Sequence, residues 1–513
     1  MRIYWAKELK TMKTYIRLII AFSAILGISA CDAGGYYGYE RYAQPDANYA
    51  EMADLDGEMP PQEGDRFDEI VENDFIKVAE QPVSTFSIDA DGASYAYMRR
   101  CIGSGYLPSP NSVRTEEFLN YFTFDYANPA AGENVGINAE VGICPWNPEH
   151  YLLRLGLKGK PVAEADMPVA NFILMIDTSG SMLGADRLDL LKSGLLNMID
   201  YMRPTDRIAI ITYSGEVKML LESTLVKDAN KIKKAIKSLD ASGYTPGGAA
   251  MKMAYDEAVE HYIKGGNNRI IMCTDGDFNV GVTSTDALVE IVESYLDKGI
   301  YLSIMGFGTG NFNDSMMESL SNHGNGTYTY IDSEEEMMKV FVHERSHFLS
   351  VANDTKCQIR FTDNIDSYRL IGYENRVMNN EDFENDQKDA GEIGAGQTVT
   401  ALYELIPAAG AKAGAATASF DVRYKMALGE ESRLLHLDVG DCQSNVSKEF
   451  HFAAGIAAYA MILRNSKYKG TADFKMAEDL VRIGEQPAEG VDPLKLRSKL
   501  TKLVHLASGY YKD

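Results

Sequence analysis

Positive charge is what this chain is short of. Its 513 residues carry 50 Lys and Arg against 74 Asp and Glu, a net charge of −24, and its pI is about 4.8. Nucleic acids and anionic lipid surfaces are held by clustered Lys and Arg that release counterions, so neither is expected as a partner. Long apolar runs are also scarce. Residues 18–28 form an apolar run that is too short for a bilayer, which takes about 20 residues. No GxSxG, no Walker A string and no grouping of Ser, His and Asp is present, which removes the commonest hydrolase and nucleotide readings. Tryptophan is rare, 2 against 30 Tyr; adhesive or glycan-facing surfaces and ordinary strand composition fit that balance equally, so it decides nothing.

The apolar run at 18–28 follows the basic residues Lys10, Lys13 and Arg17 and closes on Ile28-Ser29-Ala30-Cys31. That arrangement resembles a bacterial lipobox, with Met12 as an alternative start. The resemblance implies that residues 1–30 are a lipoprotein signal peptide and that Cys31 is acylated, leaving a body lipid-anchored in the cell envelope, at the outer membrane on its periplasmic or surface face. Residues 31–80 are rich in Gly, Tyr, Pro and acids without apolar periodicity, and are expected to be a disordered tether.

The most informative stretch is NFILMIDTSGSM, residues 171–182. An apolar strand breaks there into a loop carrying Asp177, Ser179 and Ser181, at the carboxyl end of the strand, where open α/β sheets place their ligands. Thr245 lies in the Gly- and Pro-rich SGYTPGG, and Asp275 ends the strand-like RIIMCTDG. These oxygen side chains suit Mg²⁺, with Mn²⁺ as a substitute; zinc would call for His or Cys. The ordered set resembles the Asp-x-Ser-x-Ser metal-ion-dependent adhesion site of the von Willebrand factor type A domain. The resemblance implies a metal held by Asp177, Ser179, Ser181, Thr245 and Asp275, completed by an Asp or Glu of a protein partner.

The runs FILMID, RIAIITYS, RIIMCTDG and YLSIMGFG alternate with helical stretches such as residues 187–202, where Leu188, Leu191, Leu195, Ile199 and Met202 share a face. This predicts an α/β, Rossmann-like parallel sheet over residues 168–350. The segments STFSIDADGASYAYMRRCIGSGYLPSPNSVRTEEFLNYFTFDY before it and SYRLIGYENRVMNNEDFENDQKDAGEIGAGQTVTALYEL after it resemble the flanks of YfbK-type bacterial lipoproteins. Residues 83–165 are expected to begin with helices and loops and to end in strands. Those strands should pair with the alternating strands of 351–447 in a β-sandwich, followed by a helical unit at 448–513.

Other strings compete less well. His343-Glu344-Arg345-Ser346-His347 spells the zinc-peptidase HExxH, yet no third ligand can be singled out downstream, and a solvated face of the last helix is the plainer reading. Asp89-Ala90-Asp91-Gly92 fails as a calcium loop and as a phosphatase turn, and reads as the cap of a helix starting near Ala93. Cys273 falls in a buried strand; Cys101 with Cys144, and Cys357 with Cys442, are left as disulfide candidates. The favoured function is a membrane-anchored, Mg²⁺-dependent protein-binding module and not an enzyme. The alternatives are a zinc metallopeptidase using His343, Glu344 and His347, or an envelope scaffold with an idle metal site.

Overall fold

The computed structural model describes residues 64–242, 247–276, 285–295, 298–310, 312–412 and 414–511. Cys31, the expected signal peptide, most of the expected tether, and Thr245 lie outside the described residues.

The parallel sheet forms where the alternation of apolar strands and helices required it. Its strand order is Tyr328–Ile331, Tyr301–Phe307, Asn267–Thr274, Ala170–Asp177, Arg207–Ser214 and the antiparallel edge Glu216–Leu225. The central strand Ala170–Asp177 is buried throughout, as a strand covered by helices on both faces must be. Helix Leu188–Tyr201 buries Leu188, Leu191, Leu195 and Ile199 against one side, each such side chain stabilising by roughly 1.5–3 kcal/mol.

Strands from both sides of this domain do pair. Val135–Ile143 and Tyr151–Gly159 join Thr398–Pro407, Ile365–Ile371 and the short Ile76–Lys77 in one antiparallel sheet. Val83–Ser87 and Val377–Met378 join Ser350–Phe361, Ala418–Lys425 and Arg433–Val439 in the other. A shared core that includes Phe86, Leu155, Ile359, Tyr403 and Phe420 lies between them. The parallel-sheet domain is inserted between Tyr151–Gly159 of the first sheet and Ser350–Phe361 of the second.

Several expectations need correction. Residues 64–80 are not a tether: Ile76 and Lys77 pair with Tyr368 and Ser367, the Phe75 ring packs against His150 and Tyr468, and the Asn73 amide donates to the carbonyls of Leu370 and Gly372. Isolated aromatic anchors hold this segment, and they leave no periodic trace. The N-terminal flank begins with the strand Val83–Ser87, not with a helix. The described cysteines Cys101, Cys144, Cys273, Cys357 and Cys442 are free thiols.

The C-terminal unit is helical, with Lys448–Leu463, Phe474–Ile483 and Leu496–Ser508. Small residues bring the first two together: a Cβ on Gly455 would stand 2.7 Å from the Val481 backbone nitrogen. Among the described residues no helix is long and apolar enough to cross a membrane.

Candidate metal centre

Asp177 is the last residue of the central strand and is fully buried. The chain turns at once: the Ser179 N–H donates to Asp177 Oδ1 at 2.8 Å, and the Ser179 and Ser181 hydroxyls lie 2.9 Å apart. On the adjacent parallel strand Ile176 is in register with Cys273, which brings the end of that strand alongside Asp177. There Thr274 Oγ1 donates to Asp177 Oδ2 at 3.2 Å and accepts the Gly276 N–H at 3.0 Å. Asp275 follows, 3% exposed. Gly276 has φ +88, and a Cβ there would meet the Asn313 nitrogen at 2.6 Å, so the turn demands glycine.

Burial first, and then the charge of Asp275, push the Asp177 carboxyl up to about 7, against the lowering effect of the hydrogen bonds from Ser179 and Thr274. Two carboxylates are thus held in one poorly solvated cleft beside two hydroxyls. A divalent cation would relieve their mutual repulsion, as a proton on Asp177 does without one, and hard oxygen donors with no nitrogen or sulfur among them fit Mg²⁺ or Mn²⁺. The structure therefore brings together Asp177, Ser179, Ser181 and the neighbouring strand end that carries Asp275. The loop leading to Thr245 is tied to the same place, since the Ser242 N–H donates to the Thr178 carbonyl at 2.7 Å.

Sequence reasoning missed several supporting residues. Thr274 carries a signal, because it immediately precedes a candidate ligand at a strand end. Arg187 and the Arg100–Asp186 pair carry none. Arg187 Nη2 donates to the Thr309 carbonyl at 2.6 Å, and Arg100 Nη2 reaches Asp186 Oδ2 at 2.5 Å; both fasten the loop that follows Ser181.

The HExxH string does not form the helix that a zinc site needs. Lys339–His343 is a π-turn and Arg345–Phe348 a 3₁₀ turn, so His343 and His347 are not set one α-turn apart. Glu344 is engaged by Lys339 Nζ at 2.8 Å, and burial lowers the His347 pKa. The string faces solvent in part, with His343 exposed and residues 344–347 half-buried, but it does so on turns and not on the expected helix. The Asp89–Asp91 turn also does more than precede a helix. Helix Ala93–Gly103 starts at Gly92 without a side-chain cap, while Asp89 pairs with Arg376 at 2.9 Å and Asp91 Oδ1 accepts the Tyr328 N–H. Both carboxylates join domains.

Comparison with known proteins agrees with this architecture. The family model described as von Willebrand factor type A domain matches residues 172–277. The model described as uncharacterized protein YfbK, C-terminal, matches residues 346–509. A third, described as von Willebrand factor, matches residues 61–154, a segment that contributes helices and sandwich strands. Inter-alpha-trypsin inhibitor heavy chain H3 of Homo sapiens is 30% identical over 187 residues, 34% of this chain and 21% of its own length. A von Willebrand factor type A structure from Catenulispora acidiphila covers 69% of this chain and 88% of its own at 13% identity, with a TM-score of 0.39. The uncharacterized protein YfbK of Escherichia coli K12 is 36% identical over 471 residues, which cover 86% of this chain and 81% of that protein. The chain belongs to the YfbK family and carries a von Willebrand factor type A domain.

Proposed function

We propose that this protein is an envelope-anchored binding module that captures a protein partner through a divalent cation, Mg²⁺ or Mn²⁺, bridged to an Asp or Glu of that partner. The observation that carries this reading is the buried cleft at the end of the central strand, where Asp177 is pushed up to about 7 by burial and by Asp275 and where the Ser179 and Ser181 hydroxyls lie together. Ser179, Ser181 and Thr245 would supply hydroxyl ligands, and Asp177 and Asp275 the charge, directly or through water. The bound cation supplies a positive centre to which a carboxylate binds, so affinity is tied to metal occupancy. The net charge of −24 repels acidic partners at long range, so recognition falls to the local cation, and nucleic acid is not a partner. Cys31 is the anchor, and the membrane is contacted through its lipid.

On this reading the role is binding, and the HExxH segment lacks the helical register that a zinc peptidase needs. Calorimetric titration of the metal-free protein with Mg²⁺ is expected to show one site, lost in Asp177→Ala and weakened in Thr245→Ala. Envelope proteins retained on the wild-type chain in Mg²⁺ should be released by EDTA and be missing from the Thr245→Ala eluate. No Mg²⁺ binding, or about one equivalent of tightly held zinc, would overturn the proposal.

A further inference from the structure

The last turn of helix Gly247–Glu260 and the residue after it carry a second group of metal-ligating side chains. Glu257, Glu260 and His261 stand at positions i, i+3 and i+4. The Glu257 carbonyl accepts the His261 N–H at 3.1 Å, so the α-turn continues through His261 and the three side chains share one face. One ligand atom from each lies within 4.8 Å of the other two. The His261 carbonyl accepts from Asn171 Nδ2 at 3.1 Å. Asn171 is the second residue of the central strand and Asp177 its last, so this group and the Asp177 cleft sit at opposite ends of that strand.

The Glu257 carboxylate is 8% exposed and is fixed in place by the Ser223 N–H, which donates to Oε1 at 3.0 Å. His261 Nδ1 stands 3.2 Å from that same oxygen, yet it is buried without a hydrogen-bond partner. A tetrahedral zinc ion with bonds of about 2.0–2.1 Å sets neighbouring ligand atoms about 3.3 Å apart, so this spacing suits two atoms facing one ion. Charge points the same way. The last turn holds two glutamates and no basic residue, at the helix end where the carbonyl dipoles already gather negative charge. We propose that Glu257, Glu260 and His261 form a site for a divalent transition-metal ion of the zinc class. The imidazole nitrogen selects against Mg²⁺ and Ca²⁺, which take oxygen ligands, and the two carboxylates balance the charge of the ion. Glu257 is the buried anchor; Glu260 is exposed and His261 half-buried, which leaves the fourth position to water. The ion fastens the helix end to the edge strand Glu216–Leu225, whose Ser223 holds Glu257. With three ligands and one open side the site exchanges its ion, unlike the tightly held zinc of a peptidase.

The test is calorimetric titration of the full chain with Zn²⁺, after EDTA and dialysis and in excess Mg²⁺, with Tm followed in parallel. The wild type is expected to bind one Zn²⁺ and to melt at a higher temperature with it. His261→Ala is expected to lose at least about tenfold in Zn²⁺ affinity, along with the rise in Tm. Glu260→Gln, at an exposed position where folding is not at stake, is expected to lose affinity likewise and decides the matter if His261→Ala fails to fold. Asp177→Ala is expected to keep the wild-type Zn²⁺ isotherm, so this site stands or falls apart from the Asp177 cleft. No Zn²⁺ binding by the wild type overturns the proposal. So does wild-type Zn²⁺ affinity in folded Glu260→Gln and His261→Ala, or its loss in His343→Ala with retention in His261→Ala, which would return the zinc to the HExxH string.

Discussion

The Asp91 carboxylate accepts the backbone N–H of Tyr328 at 2.9 Å, so a side chain of the N-terminal flank satisfies the outer strand of the inserted domain's parallel sheet. Both groups are buried. Asp91→Ala is expected to leave the Tyr328 N–H without its acceptor and to cost about 1–3 kcal/mol. Urea denaturation measures the loss, and Mg²⁺ affinity should be unchanged, since Asp91 does not touch the metal loop.

Cation binding should stabilise the fold in proportion to how fully Asp177 ionises. Its carboxyl sits at about 7 in the metal-free protein, so bound metal must displace a proton below that pH. The rise in Tm on adding Mg²⁺ is expected to grow between pH 6 and 8 by scanning calorimetry, and EDTA to abolish it. Asp275→Asn removes the neighbouring charge, so the metal-free protein should gain roughly 1 kcal/mol at pH 8 while losing its Mg²⁺ response.

Without metal, stability should fall with rising pH. Burial, and then the charges of Glu374 and Asp89, raise Glu116 to about 8. The folded chain therefore keeps a proton that the unfolded chain releases near the ordinary value of 4.5. The contribution is fully present below that value and is lost as pH climbs toward 8, with a slope of about −1.4 kcal/mol per pH unit. Urea midpoints at pH 5, 6, 7 and 8 test this, and Glu116→Gln should flatten the curve. An upward slope would refute it.

Helix contact in the C-terminal unit depends on Gly455, where a Cβ would stand 2.7 Å from the Val481 nitrogen. Gly455→Ala is expected to cost about 1–3 kcal/mol through overpacking, read as a lower Tm.

The turn that gathers Asp177, Ser179 and Ser181, the alternating sheet and the strand-rich flank were legible because each is written in consecutive residues: a run of apolar side chains, then a break carrying oxygen side chains. What escaped is chemistry between segments far apart in the chain. Arg99 meets Asp332, Asp89 meets Arg376, and Asp91 meets Tyr328 only after the domains close; as sequence, each is one more charged residue in an acidic chain. The HExxH string shows the opposite failure, since its spacing has meaning only on an α-helix and the chain winds there as a π-turn and a 3₁₀ turn. Helix Phe474–Ile483 drew no notice because it is short and buries only a narrow stripe, chiefly Ala477 and Val481.

The point of insertion has a mechanical side. The chain leaves the sandwich from the strand ending at Gly159 and returns at Ser350, and a Cβ on Gly159 would lie 3.2 Å from Val351 Cγ2. Departure and return belong to opposite sheets. Sliding one sheet over the other would therefore wrench the inserted domain at its root, and a load borne by that domain is divided between both sheets at one corner instead of peeling a single strand.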